Sequence, residues 1–296
     1  MSDSKEILAV GSIAFDTIHT PKGKREKMLG GSSTYFSVAS SRYSKVSLIG
    51  IVGDDFTNNE WELFNQHNIN TDSIEVCEGK TFSWGGEYNN DYSCRDTLFT
   101  NLGVFENFKP IIKTNYSNPI LYLGNIQPEL QFDVINKIKN PYLIAADSMN
   151  LWIDLFPNDV FRLIKKVNIF LLNDEEAMQL TGLNDLDKIA DQFLSYGPKI
   201  VIIKKGSKGS LLAYENHKIN ISVVPDTTVY DPTGAGDSFA GGVLGYMAQF
   251  GLDNPIDAVI HGTVIASYTV SGFGLEKLCT IRDKDFNKKI KEIKVT

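Results

Sequence analysis

The segment Tyr230-Asp231-Pro232-Thr233-Gly234-Ala235-Gly236-Asp237-Ser238-Phe239-Ala240-Gly241-Gly242 passes from a polar strand end through Gly-Ala-Gly into a helix that runs to about Phe250. Small residues let successive backbone N–H groups converge on one point, and the helix N-terminus adds partial positive charge there. Such a turn suits the charge that develops on a transferred phosphoryl group. Asp237, in the first helical turn beside it, is placed to accept a proton from an attacking hydroxyl. A plainer reading needs only a tight turn and an acid that complements the helix dipole, and Gly-x-Gly alone favours it.

Outward from this segment the chain repeats one theme, a short β-rich run followed by a helical one. Ile7–Ile13 reads as a buried strand, Ser33–Tyr43 as a helix, Val46–Val52 as a strand and Phe56–His67 as an amphipathic helix. Ile120–Leu123, Leu143–Ala146, Ile169–Leu172 and Ile200–Ile203 are short apolar runs of the kind covered on both faces. The alternation predicts an α/β fold with a mostly parallel central sheet between layers of helices. Two stretches break the theme. Thr17–Leu29 carries Pro21-Lys22-Gly23-Lys24 between extended flanks and reads as a hairpin. Lys80–Thr100 is rich in Thr, Phe, Trp and Tyr, lacks helical period and holds Gly85-Gly86. Both predict strands outside the central sheet, forming a small β-flap.

The string from Asp231 to Gly242 resembles, position for position, the C-terminal signature of the ribokinase-like (PfkB-type) carbohydrate kinase family. The resemblance implies a three-layer α/β/α sandwich with a small β-sheet lid. Residues 1–296 would form a single kinase domain, with the lid at about 14–30 and 80–101. It implies Asp237 as the general base and the amides of Gly234, Ala235 and Gly236 as an anion hole. Asp231 and Thr233 match positions near a monovalent-cation site, K+ among the candidates, in some members.

Further matches follow in the family's order. Val10-Gly11-Ser12-Ile13-Ala14-Phe15-Asp16 is similar to the first strand and turn, where the family places a substrate-binding aspartate. A carboxylate accepts two hydroxyl hydrogen bonds at once, so Asp16 suits a polyol, while an Asx-turn is the structural alternative. Gly30-Gly31 resembles the di-glycine hinge between lid and body, where substrate comes close to the backbone; a plain turn needs the same residues. Asn125, after the Ile120–Gly124 strand, matches another substrate contact. Asn173 and Glu176 fit the family's Asn-x-x-Glu motif, associated with Mg2+ and phosphate ordering, and equally a helix-capping pair. Lys204 and Gly206 fall in a segment similar to the nucleotide-side loop, or in a solvated basic turn. Ribokinases proper carry Gly-Gly-Lys-Gly-Ala-Asn, whereas this chain has Gly30-Gly31-Ser32-Ser33-Thr34-Tyr35, so Tyr35 replaces the Asn that holds a sugar hydroxyl. The aromatic segment Thr81–Tyr88 fits either stacking on a substrate ring or a dimer contact.

Composition narrows the field further. A net charge of −7 disfavours a nucleic-acid backbone as partner, since that binding rests on clustered Lys and Arg. Cys77, Cys94 and Cys279 are scattered and odd in number, as free thiols of a reducing cytoplasm would be. No apolar run approaches the ~18 residues of a membrane span. Gly79-Lys80-Thr81 lacks the earlier glycine of a P-loop, since Ile74 stands there. The expectation is an enzyme, a cytoplasmic carbohydrate kinase using ATP and Mg2+ on a hydroxyl of a small sugar or sugar-like polyol such as a cyclitol. A nucleoside kinase of the same fold and a non-catalytic ligand sensor are the alternatives, and a homodimer through the lid is a further expectation.

Overall fold

The computed structural model describes residues 4–296. In chain order the elements are β1 (Ile7–Val10), β2 (Ala14–Thr20), β3 (Gly23–Gly30), α1 (Ser32–Ser41), β4 (Val46–Gly53), α2 (Asn58–Gln66), β5 (Ile69–Cys77), β6 (Ser83–Tyr88) and β7 (Arg95–Asn101). Then come β8 (Ile120–Leu123), α3 (Pro128–Lys137), β9 (Leu143–Asp147), α4 (Asn150–Leu155), α5 (Pro157–Ile164), β10 (Ile169–Asn173), α6 (Asp174–Thr181), α7 (Leu186–Tyr196) and β11 (Ile200–Lys204). The chain ends with β12 (Ser210–Tyr214), β13 (His217–Ile221), α8 (Ala235–Phe250), α9 (Pro255–Thr269) and α10 (Asp283–Ile290).

Among the described residues a nine-stranded sheet runs in the order β13-β12-β11-β10-β9-β8-β1-β4-β5. Its strands pair in parallel from β5 through to β11, while β12 and β13 add an antiparallel edge. The period-two pleat explains why the short apolar runs are apolar throughout. Ile7, Ala9, Tyr122 and Leu171 face a core shared with α1, α8 and α9, while Leu8, Val10, Leu121 and Phe170 face one shared with α3, α5, α6 and α7. The result is the three-layer sandwich that the sequence implied.

The two stretches expected to leave the central sheet meet each other. They form a four-stranded sheet ordered β3-β2-β6-β7, with β2 and β6 parallel and the outer pairs antiparallel. The first strand is shorter than its apolar run suggests: β1 stops at Val10, and Ala14 already belongs to the small sheet. The crossing is made at Ser12, whose N–H donates to Ser32 Oγ (3.2 Å) while the Ser32 N–H donates to Ser12 Oγ (3.0 Å). Gly79-Lys80-Thr81 is a connection held to the end of β4: the Thr81 N–H and hydroxyl both donate to Asp55 Oδ1 at 2.8 Å.

Candidate active site

Parallel strands deliver their C-terminal residues to one edge of a sheet, and helices that follow present their N-termini there. Here β9 ends at Asp147, β10 at Asn173 and β11 at Lys204, with Asn173 paired in register to Lys204. The Lys204 Nζ donates to Asp147 Oδ2 over 2.6 Å, with Asp147 buried and Lys204 nearly so. A Cβ on Gly236 would lie 3.2 Å from that Nζ, so the ammonium rests against the Gly-Ala-Gly turn.

Gly234 precedes α8 with φ at 74°, and a Cβ there would sit 2.3 Å from the Tyr35 ring. The left-handed backbone and the ring beneath it each exclude a side chain. The Ala235 N–H closes the turn onto the Pro232 carbonyl at 3.2 Å. No side chain caps α8, which leaves its first turn electropositive and open to an acceptor. Asp237 stands in that first turn, half-buried. Burial, and then Asp147 close by, push its carboxyl up to about 7 against the pull of Lys204.

Asn173 and Glu176 form a reciprocal cap on α6. The Glu176 N–H donates to Asn173 Oδ1 (2.8 Å), and the Asn173 N–H donates to Glu176 Oε2 (2.9 Å). The capping alternative is thus realised, yet Glu176 is buried and within electrostatic reach of Lys204, Asp147 and Asp237. Its burial raises it to about 7, with Lys204 opposing. Burial works against the Lys204 charge too, but Asp147 and Glu176 outweigh it and hold the ammonium above its ordinary pKa.

Asp16, also within electrostatic reach of Asp237, leans on Gly30, where a Cβ would lie 2.0 Å from its Oδ2. Asp16 is raised to about 7 by burial and by Asp231, while the Gly31 N–H works the other way. Asp231 accepts from the Thr233 N–H (2.9 Å) and the Gly274 N–H (3.1 Å), and burial still raises it. Tyr35 is buried with its hydroxyl unpartnered, within electrostatic reach of Asp16, Asp231, Tyr88 and Asp237.

The structure therefore brings Asp16, Gly30, Gly31, Glu176, Lys204, Asp231 and Gly234–Asp237 together in one cluster of mutually interacting groups. Asn125 is engaged instead with α4, its Oδ1 accepting from Trp152 Nε1 at 3.1 Å. Gly206 stands at an open turn after β11, with nothing within 4 Å of a Cβ there. Asp147 went unnoticed in the sequence, although an acid closing a short parallel strand is the available signal. Tyr122, whose unpartnered hydroxyl lies near Asp147 and Asp237, carried no signal at all.

The small sheet reaches the same place. Tyr88 Oη and Thr233 Oγ1 are 3.0 Å apart, and the Tyr92 hydroxyl donates to the Val229 carbonyl at 3.1 Å. The other aromatics of β6 and β7 serve the sheet itself. The Trp84 ring lies against Gly86 with the Arg95 guanidinium 4.8 Å from its centre, and Phe99 packs on Gly85.

The sequence profile of the pfkB family carbohydrate kinases matches residues 4–280. The chain belongs to this family. A cytidine kinase of Thermococcus kodakarensis is 26% identical over 264 residues, covering 86% of this chain and 92% of the relative. The crystal structure of the Methanocaldococcus jannaschii nucleoside kinase, described as an archaeal member of the ribokinase family, superposes with a TM-score of 0.77 at 21% identity, covering 98% of this chain and 99% of that one. An E. coli protein described as a putative ribokinase II, in complex with ATP and Mg2+, gives 0.77 at 17% identity, covering 97% of this chain and 99% of that one. These likenesses establish the ribokinase-like fold, and membership makes the protein a sugar or nucleoside kinase.

Proposed function

We propose that this pfkB-family kinase transfers the terminal phosphoryl group of ATP to a sugar hydroxyl of a nucleoside, with Asp237 as general base. The observation that carries the reading is the meeting of Asp237, the uncapped start of α8 and the Lys204 ammonium around Gly236. The resemblance to a cytidine kinase along most of both chains favours a nucleoside over the simple sugar or polyol first expected.

Asp16 accepts hydrogen bonds from the sugar hydroxyls, and the bare backbone of Gly30 and Gly31 lets the ring approach. Asp237 takes the proton of the attacking hydroxyl. The N–H groups of Gly234 and Gly236 at the start of α8 face the charge that builds during transfer, whereas the Ala235 N–H, expected beside them, is taken up by the Pro232 carbonyl and serves the turn. Lys204 holds the phosphates, and the Gly206 turn borders the nucleotide. Among the described residues no group of three or more His, Cys, Asp or Glu is arranged to hold a metal. Mg2+ would be carried on the phosphates of ATP, and Glu176 and Asn173 would order its water shell. ATP supplies the phosphoryl group and Mg2+ neutralises its charge. Asp231 and Thr233 would hold K+, and Asn125 would set the wall beside the acceptor. The small sheet acts as the lid, and its exposed outer strand β7 supports pairing of two copies. Among the described residues no helix is long and apolar enough to cross a membrane.

The test is ADP formation with a panel of ribonucleosides, deoxyribonucleosides, ribose, fructose and cyclitols. A nucleoside should give the highest kcat/KM, and Asp237→Asn should lower kcat by ~10²-fold or more with little change in MgATP affinity. Turnover on free sugars alone would overturn the substrate assignment. Wild-type kcat in Asp237→Asn would overturn the base, and nucleotide binding without any product would favour the sensor.

A further inference from the structure

We propose that Asp147 is a positioning residue for phosphoryl transfer: it holds the Lys204 ammonium beside Gly236 and off Asp237 until a triphosphate arrives to take it. This rests on the kinase reading above and adds to it a residue that neither the sequence motifs nor the family resemblance singled out.

Lys204 is within electrostatic reach of three carboxylates, Asp147, Glu176 and Asp237, and its hydrogen bond goes to Asp147, at 2.6 Å. An ammonium bonded to Asp237 instead would occupy the oxygen that has to accept a proton. The two partners differ in freedom. Asp147 is fixed: its Oδ1 accepts from the Ser148 N–H at 3.0 Å, and its carbonyl accepts from Gln131 Nε2 at 3.3 Å. Lys204 has a flexible four-carbon stem. That stem runs beside Gly236, where a Cβ would lie 3.2 Å from Nζ and 3.9 Å from Cε and Cδ. A side chain at Gly236 would stand in the path from Asp147 to the turn. Phosphate oxygens gathered at the turn carry more charge than one carboxylate and form strong charge-assisted hydrogen bonds, so they draw the ammonium across.

The groups around Asp237 are Tyr35 on α1, Tyr122 on β8, Asp147 on β9, Glu176 on α6, Lys204 on β11 and Asp16 on β2. Neutralising Asp147 removes a like charge from this set and frees Lys204 to approach Asp237. Both changes favour the ionised base, and both leave it a poorer acceptor.

The experiment is a double-mutant cycle of Asp147→Asn and Lys204→Met, following kcat, MgATP KM and the pH dependence of kcat/KM. Asp147→Asn should lower kcat by ~10- to 10²-fold without raising MgATP KM. The acid limb of its profile should move down by about one pH unit. In the Lys204→Met background the same substitution should cost less than ~2-fold in kcat and keep only the smaller acid-limb shift due to the lost neighbouring charge, because the positioning runs through the lysine. If a single variant does not fold because it leaves a buried charge unpaired, the double variant leaves none, and a wild-type kcat in it would likewise overturn the inference. Equal losses in both backgrounds, or an Asp147→Asn enzyme with wild-type kcat and acid limb, would overturn the inference while leaving the kinase reading intact. A wild-type protein that makes no ADP with any acceptor would defeat that reading and this inference with it.

Discussion

Tyr35 occupies a buried position with a polar atom that has no protein partner. A buried hydroxyl left unsatisfied costs about 1–3 kcal/mol, and a substrate hydroxyl entering the cleft would recover part of that. Its ring has a separate duty as the floor under Gly234. Tyr35→Phe separates the two duties: it keeps the floor and removes the oxygen. The variant should fold with a Tm at or above wild type, hold its kcat and MgATP KM, and show an acceptor KM raised by roughly 5- to 20-fold. An unchanged acceptor KM would mean that the hydroxyl never meets the acceptor. At this scale the sequence was informative where identity and neighbours lie together. Asp231, Gly234 and Asp237 declare themselves because the turn that aims them is local. Asp147 and Lys204 are 57 positions apart, and nothing local to β9 or β11 tells that their side chains meet.

Helix α8 carries the turn and is held by close contact. A Cβ on Gly241 would lie 2.4 Å from the Phe36 carbonyl oxygen of α1, and one on Gly242 would lie 2.8 Å from the Gly262 Cα of α9. Backbone stands against backbone, so an added methyl cannot be absorbed by a rotamer change. Gly241→Ala should therefore cost about 1–3 kcal/mol in urea unfolding. Because α1 also carries Tyr35, the acceptor KM should rise with it. A loss below ~0.5 kcal/mol would show that α1 yields at no cost and does not fix the turn. The parallel strands and the two stretches of the small sheet were legible from their apolar runs and aromatic content. The edge strands were not. β13 and much of β5 are half exposed, so their polar residues hide the period that buried strands show. The end of β1 was hidden for the opposite reason, because the apolar run continues past Gly11 and Ser12 into β2.

The molecule as a whole gathers buried acids around Asp237. The net charge is −7, and Asp16, Glu176 and Asp237 are each raised to about 7 by burial and by one another's neighbours. In the unfolded chain these carboxyls titrate near 4, so between about pH 4 and 7 the folded state binds more protons than the unfolded one. Stability contributed by these groups therefore falls as pH rises through that window. His261 pulls the opposite way: burial lowers it to about 4, so it adds stability as pH rises toward 6.5 and nothing further above that. Above pH 6.5 the three carboxyls act without that offset. The Tm of the ligand-free protein should fall by on the order of 5 °C between pH 6 and pH 8. Asp16→Asn and Asp237→Asn should each remove part of the fall, since an amide has no proton to lose. Scanning calorimetry or circular dichroism melts at fixed ionic strength would check this. A Tm that is flat or rises from pH 6.5 to 8 would mean that the three carboxyls ionise freely in the folded chain.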